Sequence, residues 1–186
     1  AAIRNINPNE FALDAAYSRL FTDKISGSIA FRFIYSNLTG GLYASGVYTK
    51  AGISFAADIS GYYQKDITLG GKDGLFALGL NFSNIGSKMS YSDAQTADFI
   101  PMNMRFGTAT TLEFDDHNKL TATIDINKLL VPTPPIYNNS MEIIDGKDPN
   151  VAVPVAIFSS WFDAPGGFKE EMREFTFSPG LEYWYN

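Results

Sequence analysis

The sequence offers few groups for covalent or acid–base chemistry. His117 is the only histidine, and it sits in "DDHNK" beside Asp115 and Asp116. A metal or catalytic role is conceivable there, but a solvated hairpin turn explains the same residues more simply. "EIIDGKDPN" has the flavour of a calcium loop yet lacks the repeated Asp spacing and terminal Glu of that motif, and reads as loop. "LGGKDG" is glycine-rich without the phosphate-loop pattern and reads as a turn. No G-x-S-x-G occurs, and cysteine is absent, which removes disulfides, thiol catalysis and Cys-ligated zinc. Glu113 and Asp125 could form an acid–base pair, but structural ion pairs are the commoner use of such carboxylates. No catalytic, metal or cofactor residue is therefore assigned.

The elements that carry these residues alternate with a period of two. In "LEFDDHNKLTATIDI", Leu120, Ala122, Ile124 and Ile126 share one parity, with Thr121, Thr123 and Asp125 opposite. The same alternation predicts strands over 10–20, 25–36, 53–65, 75–85, 102–115, 120–131 and 174–185. Most are far longer than the average of about 5–6 residues. "FTDK", "DITLGGKDG" and "DDHN" form short turns, and the remaining connections are longer, the last spanning Pro132 to about Glu171. Charged residues make up only 18%, against about 25% in soluble domains. The net charge of −6 argues against nucleic acid as a partner.

Long strands, alternating loop lengths and low charge together predict an all-β fold: an antiparallel up-and-down transmembrane β-barrel in the cell outer membrane. Its apolar face would meet outer-membrane lipid, with Phe31, Phe33, Phe55, Phe76, Phe82, Phe106 and Ile124 outward. Its polar face would turn inward, pairing Arg32 and Arg105 with Asp14, Asp58, Glu113, Asp125 and Glu182. A soluble sandwich would explain the alternation but not the strand and loop lengths. Seven antiparallel strands cannot close a barrel, so the sequence is expected to be one partial domain over 1–186, with its long loop at about 132–171 on the extracellular side.

That loop holds "VAVPVAIFSSWFDAPGGF", whose Val151, Val153, Val155, Ile157, Phe158, Trp161 and Phe162 are too apolar for free solvation. They form either a plug in the barrel mouth or a partner-binding patch. The candidate contacts are Val153, Ile157, Phe158, Trp161 and Phe162, with Leu42 and Tyr43 from the glycine-rich loop between Thr39 and Val47. "FKEEMREF" is expected to make a short helix before the last strand.

The phrases "NEFALDAAYSRLFTDKISGSIAFRFIYSNLTGG", "LGLNFSNIGSKMSYSD", "FIPMNMRFGT", "DINKLLVPTPP" and "DAPGGFKEEMREFTFSPGLEYWYN" resemble the PorV family, outer-membrane proteins of the Bacteroidota type IX secretion system. The resemblance implies a fourteen-stranded FadL-like barrel, of which this sequence supplies seven middle-to-late strands. It implies a non-enzymatic role without cofactors. The expected partners are the translocon barrel, secreted cargo bearing a C-terminal signal domain, and a surface attachment complex. Two alternatives remain: a FadL-like channel for hydrophobic small molecules, and a factor in lipopolysaccharide deacylation. No single binding residue transfers from the family.

Overall fold

A computed structural model of the protein describes residues 7–38, 40–41, 43–44, 47–92 and 97–185. Its strands in chain order are β1 (Asn9–Thr22), β2 (Ile25–Asn37), β3 (Tyr43–Ala44), β4 (Val47–Tyr48), β5 (Gly52–Leu69), β6 (Lys72–Gly86), β7 (Asn103–Glu113), β8 (Asn118–Leu129), β9 (Ile136–Tyr137), β10 (Ile143–Asp145) and β11 (Phe175–Tyr185). The helices are α1 (Val153–Ser159) and α2 (Phe168–Glu171), the latter running into a 3₁₀ turn at Met172–Glu174. Seven strands form one antiparallel sheet in the order β1-β2-β5-β6-β7-β8-β11. Each of the seven strands expected from the alternation is present, and each neighbours the next in the chain. The other four strands make two separate ribbons, β3 with β4 and β9 with β10.

Cross-strand register carries the sequence alternation intact. Leu13 pairs with Phe33, and Phe33 with Phe55, on one face; Asp14 pairs with Arg32 on the other. Among the described residues, no second sheet covers the apolar face. Leu13, Phe31 and Phe55 are 70%, 63% and 64% exposed, where a sandwich core would bury them. At 11 to 18 residues, the seven strands are two to three times longer than an average strand.

The three short connections lie at one end of the sheet. The β5–β6 turn is tighter than "DITLGGKDG" led us to expect. Both strands run on until only Gly70 and Gly71 separate them, at φ 59° and 74°. Two successive positive φ angles are the demand of a two-residue hairpin whose twist matches its strands, and glycine meets that demand without strain. A bulge interrupts β6 at Asn84, where the β5–β6 register shifts and φ is 58°. The extra residue keeps both Phe82 and Ile85 on the apolar face, paired with Ile59 and Ala57.

The long connections gather at the opposite end. Their core is small: Ile100, Met102, Leu130 and Ala156 are buried together with Ala56 from β5. Met102, Leu130 and Ala156 are fully shielded from solvent. Val153, Ile157 and Trp161 pack against this cluster from the long loop, and Phe82 and Met104 pack against it from the sheet.

Candidate partner-binding surface

The segment 151–162 satisfies two periodicities at once. Its valines alternate as a strand would, but Val153, Ala156, Ile157 and Ser160 also recur at helical spacing. Pro154 decides between them, because it is tolerated in the first turn of a helix and pre-sets φ there. The result is the seven-residue helix α1, which the sequence reading took for loop.

The helix divides the candidate residues into two sets. Val153 and Ile157 face the core beside buried Ala156 and Ser160, and Trp161 joins them after the helix ends. Val155, Phe158 and Phe162 point away and are 52%, 76% and 78% exposed. The segment therefore has two sides: one packs against the core and the other is exposed. Of the remaining candidates, Tyr43 is exposed and its ring lies tilted at 56° to that of Tyr48, 4.7 Å between centroids, in the β3–β4 ribbon. Leu42 lies outside the described residues.

A buried ion cluster fixes the end of the loop against the sheet. Cross-strand pairing places Phe82, Met104, Lys128 and Phe175 in one row on the apolar face. A lysine in that row is costly unless paired. Lys128 is 1% exposed, and its ammonium donates to Glu171 Oε1 at 2.6 Å and Glu174 Oε2 at 2.7 Å. It also lies over the rings of Phe175 and Trp161, 5.2 Å and 5.7 Å from their centroids. The two glutamates belong to α2 and the following 3₁₀ turn, so this pairing clamps α2 over the apolar face.

Asp163 extends the cluster. It is buried, and it accepts from Thr133 Oγ1 at 3.0 Å and Thr133 N at 3.3 Å. Thr133 Oγ1 also lies 2.6 Å from Glu174 Oε1. Burial raises the Asp163 carboxyl above the usual range. The Thr133 hydrogen bonds oppose that rise, while the nearby Glu171 and Glu174 charges reinforce it. Nothing in the sequence spacing pointed to Lys128, Glu171, Glu174 and Asp163 as one group. The only signal was a lysine at an apolar parity in "DINKLL".

The polar face carries a second network. Arg32 Nε donates to Asp14 Oδ1 at 2.7 Å, and Arg32 Nη2 lies 3.5 Å from Asp58 Oδ2. Arg32 Nη1 donates to Asn84 Oδ1, and Asn84 N donates to Asp58 Oδ1 at 2.7 Å. Glu113 pairs with Lys119 rather than with an arginine. Arg105 Nε donates to Asn127 at 2.9 Å; among the described residues no ion pair joins it to Asp125 or Glu182.

The chemistry candidates fall on turns and loops. Asp115 accepts from His117 N at 2.9 Å and from Asn118 Nδ2 at 2.7 Å, and these bonds hold its carboxyl below the usual range. His117 thus sits in an Asx-type turn, its ring 6.5 Å from that of Tyr185. "EIIDG" forms β10 and its following turn, with Gly146 N bonded to Asp145 at 2.8 Å. Among the described residues, no three His, Cys, Asp or Glu side chains are placed to hold a metal ion.

No curated protein matches the chain. A family model described as "Type IX secretion system protein PorV" matches residues 2–136, which takes in the sheet from β1 through β8. The match, over more than half of the sequence, rests on the strands and their turns, and on that ground the chain belongs to the PorV family of type IX secretion system proteins.

Proposed function

We propose that this protein is an outer-membrane component of type IX secretion that acts by binding other proteins. In this reading the seven-stranded sheet is part of a FadL-like barrel, its apolar face meets lipid and its polar face lines the lumen. The observation that carries the reading is the uncovered apolar face: a sheet with rows of exposed Phe, Leu and Ile needs hydrocarbon beside it, while on the polar face Arg32 pairs with Asp14 and Asp58. The short turns then lie on the periplasmic side, and the connections 38–51, 87–102 and 130–174 lie outside the cell.

The displayed side of α1 is the docking surface for the translocon barrel or for the signal domain of secreted cargo. Handing cargo on to a surface attachment complex would use the same extracellular side. Val155 and Phe158 on the helix, and Phe162 just after it, stay exposed while the other side packs against the core cluster. Burying each Phe against a partner is worth roughly 1.5–3 kcal/mol, and a rigid aromatic anchor spends little of that on ordering.

The test is Phe158→Ala with Phe162→Ala in the full-length protein, followed by co-purification and cargo secretion. Trp161 is left alone because it anchors the loop. Normal assembly with at least tenfold weaker association supports the reading. Unchanged association and secretion would reject α1 as the docking surface.

A further inference from the structure

At the start of β5 it is the polar face that is covered. Gly52, Ser54 and Ala56 are buried, whereas Ile53 and Phe55 between them are 53% and 64% exposed. Register places these three opposite Ser36, Ile34 and Arg32 of β2, on the face that carries the arginine. Their cover is the connection from β6 to β7, which crosses β5 towards β2 before it returns. Ser54 Oγ donates to Ser87 O at 2.7 Å, and Ser87 N donates to Phe55 O at 3.0 Å. Met89 then lies directly on Gly52, where an added Cβ would stand 2.7 Å from its Cγ and Sδ and 3.2 Å from the Tyr91 ring. Glycine is what permits so close an approach. Tyr91 reaches furthest: its hydroxyl donates to Ser36 Oγ at 2.7 Å, and Ser36 donates on to Glu10 of β1. The crossing from β6 to β2 spans two strand spacings, about 10 Å.

The return limb is tied down as well. Met89 and Asp98 exchange backbone hydrogen bonds at 2.8 and 2.9 Å, and Asn84 Nδ2 donates to Pro101 O at 3.1 Å. Ile100 and Met102 are buried in one cluster with Ala56, and Ile34 and Met89 pack against it. Ser36 and Ser54 are 1% and 0% exposed, so the hydroxyls of this face depend on the crossing segment rather than on water for partners.

We propose that residues 87–92 and 97–101 form a strap that closes the outer mouth of the lumen over β2, β5 and β6, so that the interior is no open route for solutes from outside the cell. The proposal rests on the reading that the polar face lines the lumen. It bears on the channel alternative: a small molecule entering from outside would first have to displace the strap from Ser36, Gly52 and Ser54.

The test uses full-length protein carrying Ser60→Cys, on the polar face of β5 and nearer the short turns than the strap. A water-soluble maleimide that cannot cross the outer membrane is applied to intact cells and, separately, to outer-membrane fragments. The expected result is labelling about tenfold slower in cells than in fragments, where the reagent enters from the end with the short turns; that ratio corresponds to a strap open about a tenth of the time. Gly52→Leu, which forces Met89 off the sheet, should raise the rate in cells to that in fragments. Met89→Ala with Tyr91→Ala removes the same contacts without adding bulk and should do likewise. Equal rates in cells and fragments with the strap unaltered overturn the proposal. So does labelling in cells that stays slow in both strap variants while fragments react normally, because something other than the strap then closes the lumen. If Ser60→Cys in fragments reacts only with a lipid-soluble maleimide, the reading of the polar face as lumen fails instead.

Discussion

Replacing Lys128 by Met should release the 130–174 loop while leaving the sheet assembled. The methionine fits the apolar row between Met104 and Phe175 and keeps the volume of the lysine stem. What is lost is the counter-charge of two carboxylates at 2.6 and 2.7 Å, in a site where Lys128 is fully shielded. Breaking a buried pair costs about 3–5 kcal/mol. Glu174 retains the Thr133 hydroxyl as a partner, and its side chain is 22% exposed, so the lower end applies, about 3 kcal/mol. That cost falls on docking of the loop, because Glu171 and Glu174 reach the sheet through Lys128. It corresponds to roughly a hundredfold larger open fraction. The assay is limited trypsin digestion of the membrane-embedded protein, read at Lys147, Lys169 and Arg173. Cleavage there should accelerate by about two orders of magnitude. Adding Glu171→Gln to the Met variant should recover much of the loss, since it removes the more deeply buried orphan charge. Cleavage no faster than in the unaltered protein, with the sheet assembled, would refute the clamp.

Three further outcomes follow from the same structure. Phe31→Arg should destabilise folding into a bilayer by about 2–4 kcal/mol if the residue lies near mid-membrane, whereas Ser28→Arg on the polar face should cost far less; equilibrium folding in vesicles measures both. Gly70→Ala and Gly71→Ala should each cost about 1–2 kcal/mol in the same assay, because both positions have positive φ and open space around an added Cβ, leaving backbone strain as the only penalty. Asp163 gives the loop a pH dependence. A carboxyl raised in the folded state adds no cost below its unfolded pKa, an increasing cost between the two values and the full cost above the raised one. Trypsin should therefore cut the loop more slowly in mild acid than at neutral pH, and Asp163→Asn should flatten that difference.

The sheet was legible because period-two alternation survives folding unchanged: the same parity that separates Phe31 from Arg32 in the sequence separates their faces in the structure. Strand ends were less legible. β5 runs four residues past Lys65 and β6 begins three residues before Leu75, inside the stretch where "DITLGGKDG" suggested a turn, since Asp66 and Thr68 join the ladder opposite Leu75 and Asp73. The helix α1 was missed because β-branched valines spaced by two read as extended chain, while the helical spacing of Val153, Ala156, Ile157 and Ser160 shows only once Ala156 and Ser160 are seen to be buried. The clamp was out of reach because its members come from β8, the 130–134 turn and α2, and no local pattern links residues more than forty positions apart. Aromatic character alone did not separate the candidates: Trp161 packs against the core cluster, while Phe158 and Phe162 are exposed.

The central claim is that one face of the sheet meets lipid and the other does not. The 186 residues contain no cysteine, so single cysteines can be introduced along β2, β5 and β8. The most direct measurement is labelling in whole outer membranes at Phe31, Phe55 and Ile124 on the apolar face, and at Ser28, Ser60 and Thr121 on the polar face. A lipid-soluble maleimide should react at the first three positions and a water-soluble one at the last three, with the pattern reversing at each step along a strand. Water-soluble labelling of Phe31, Phe55 and Ile124 at the rate of the polar-face positions would contradict the membrane-spanning account.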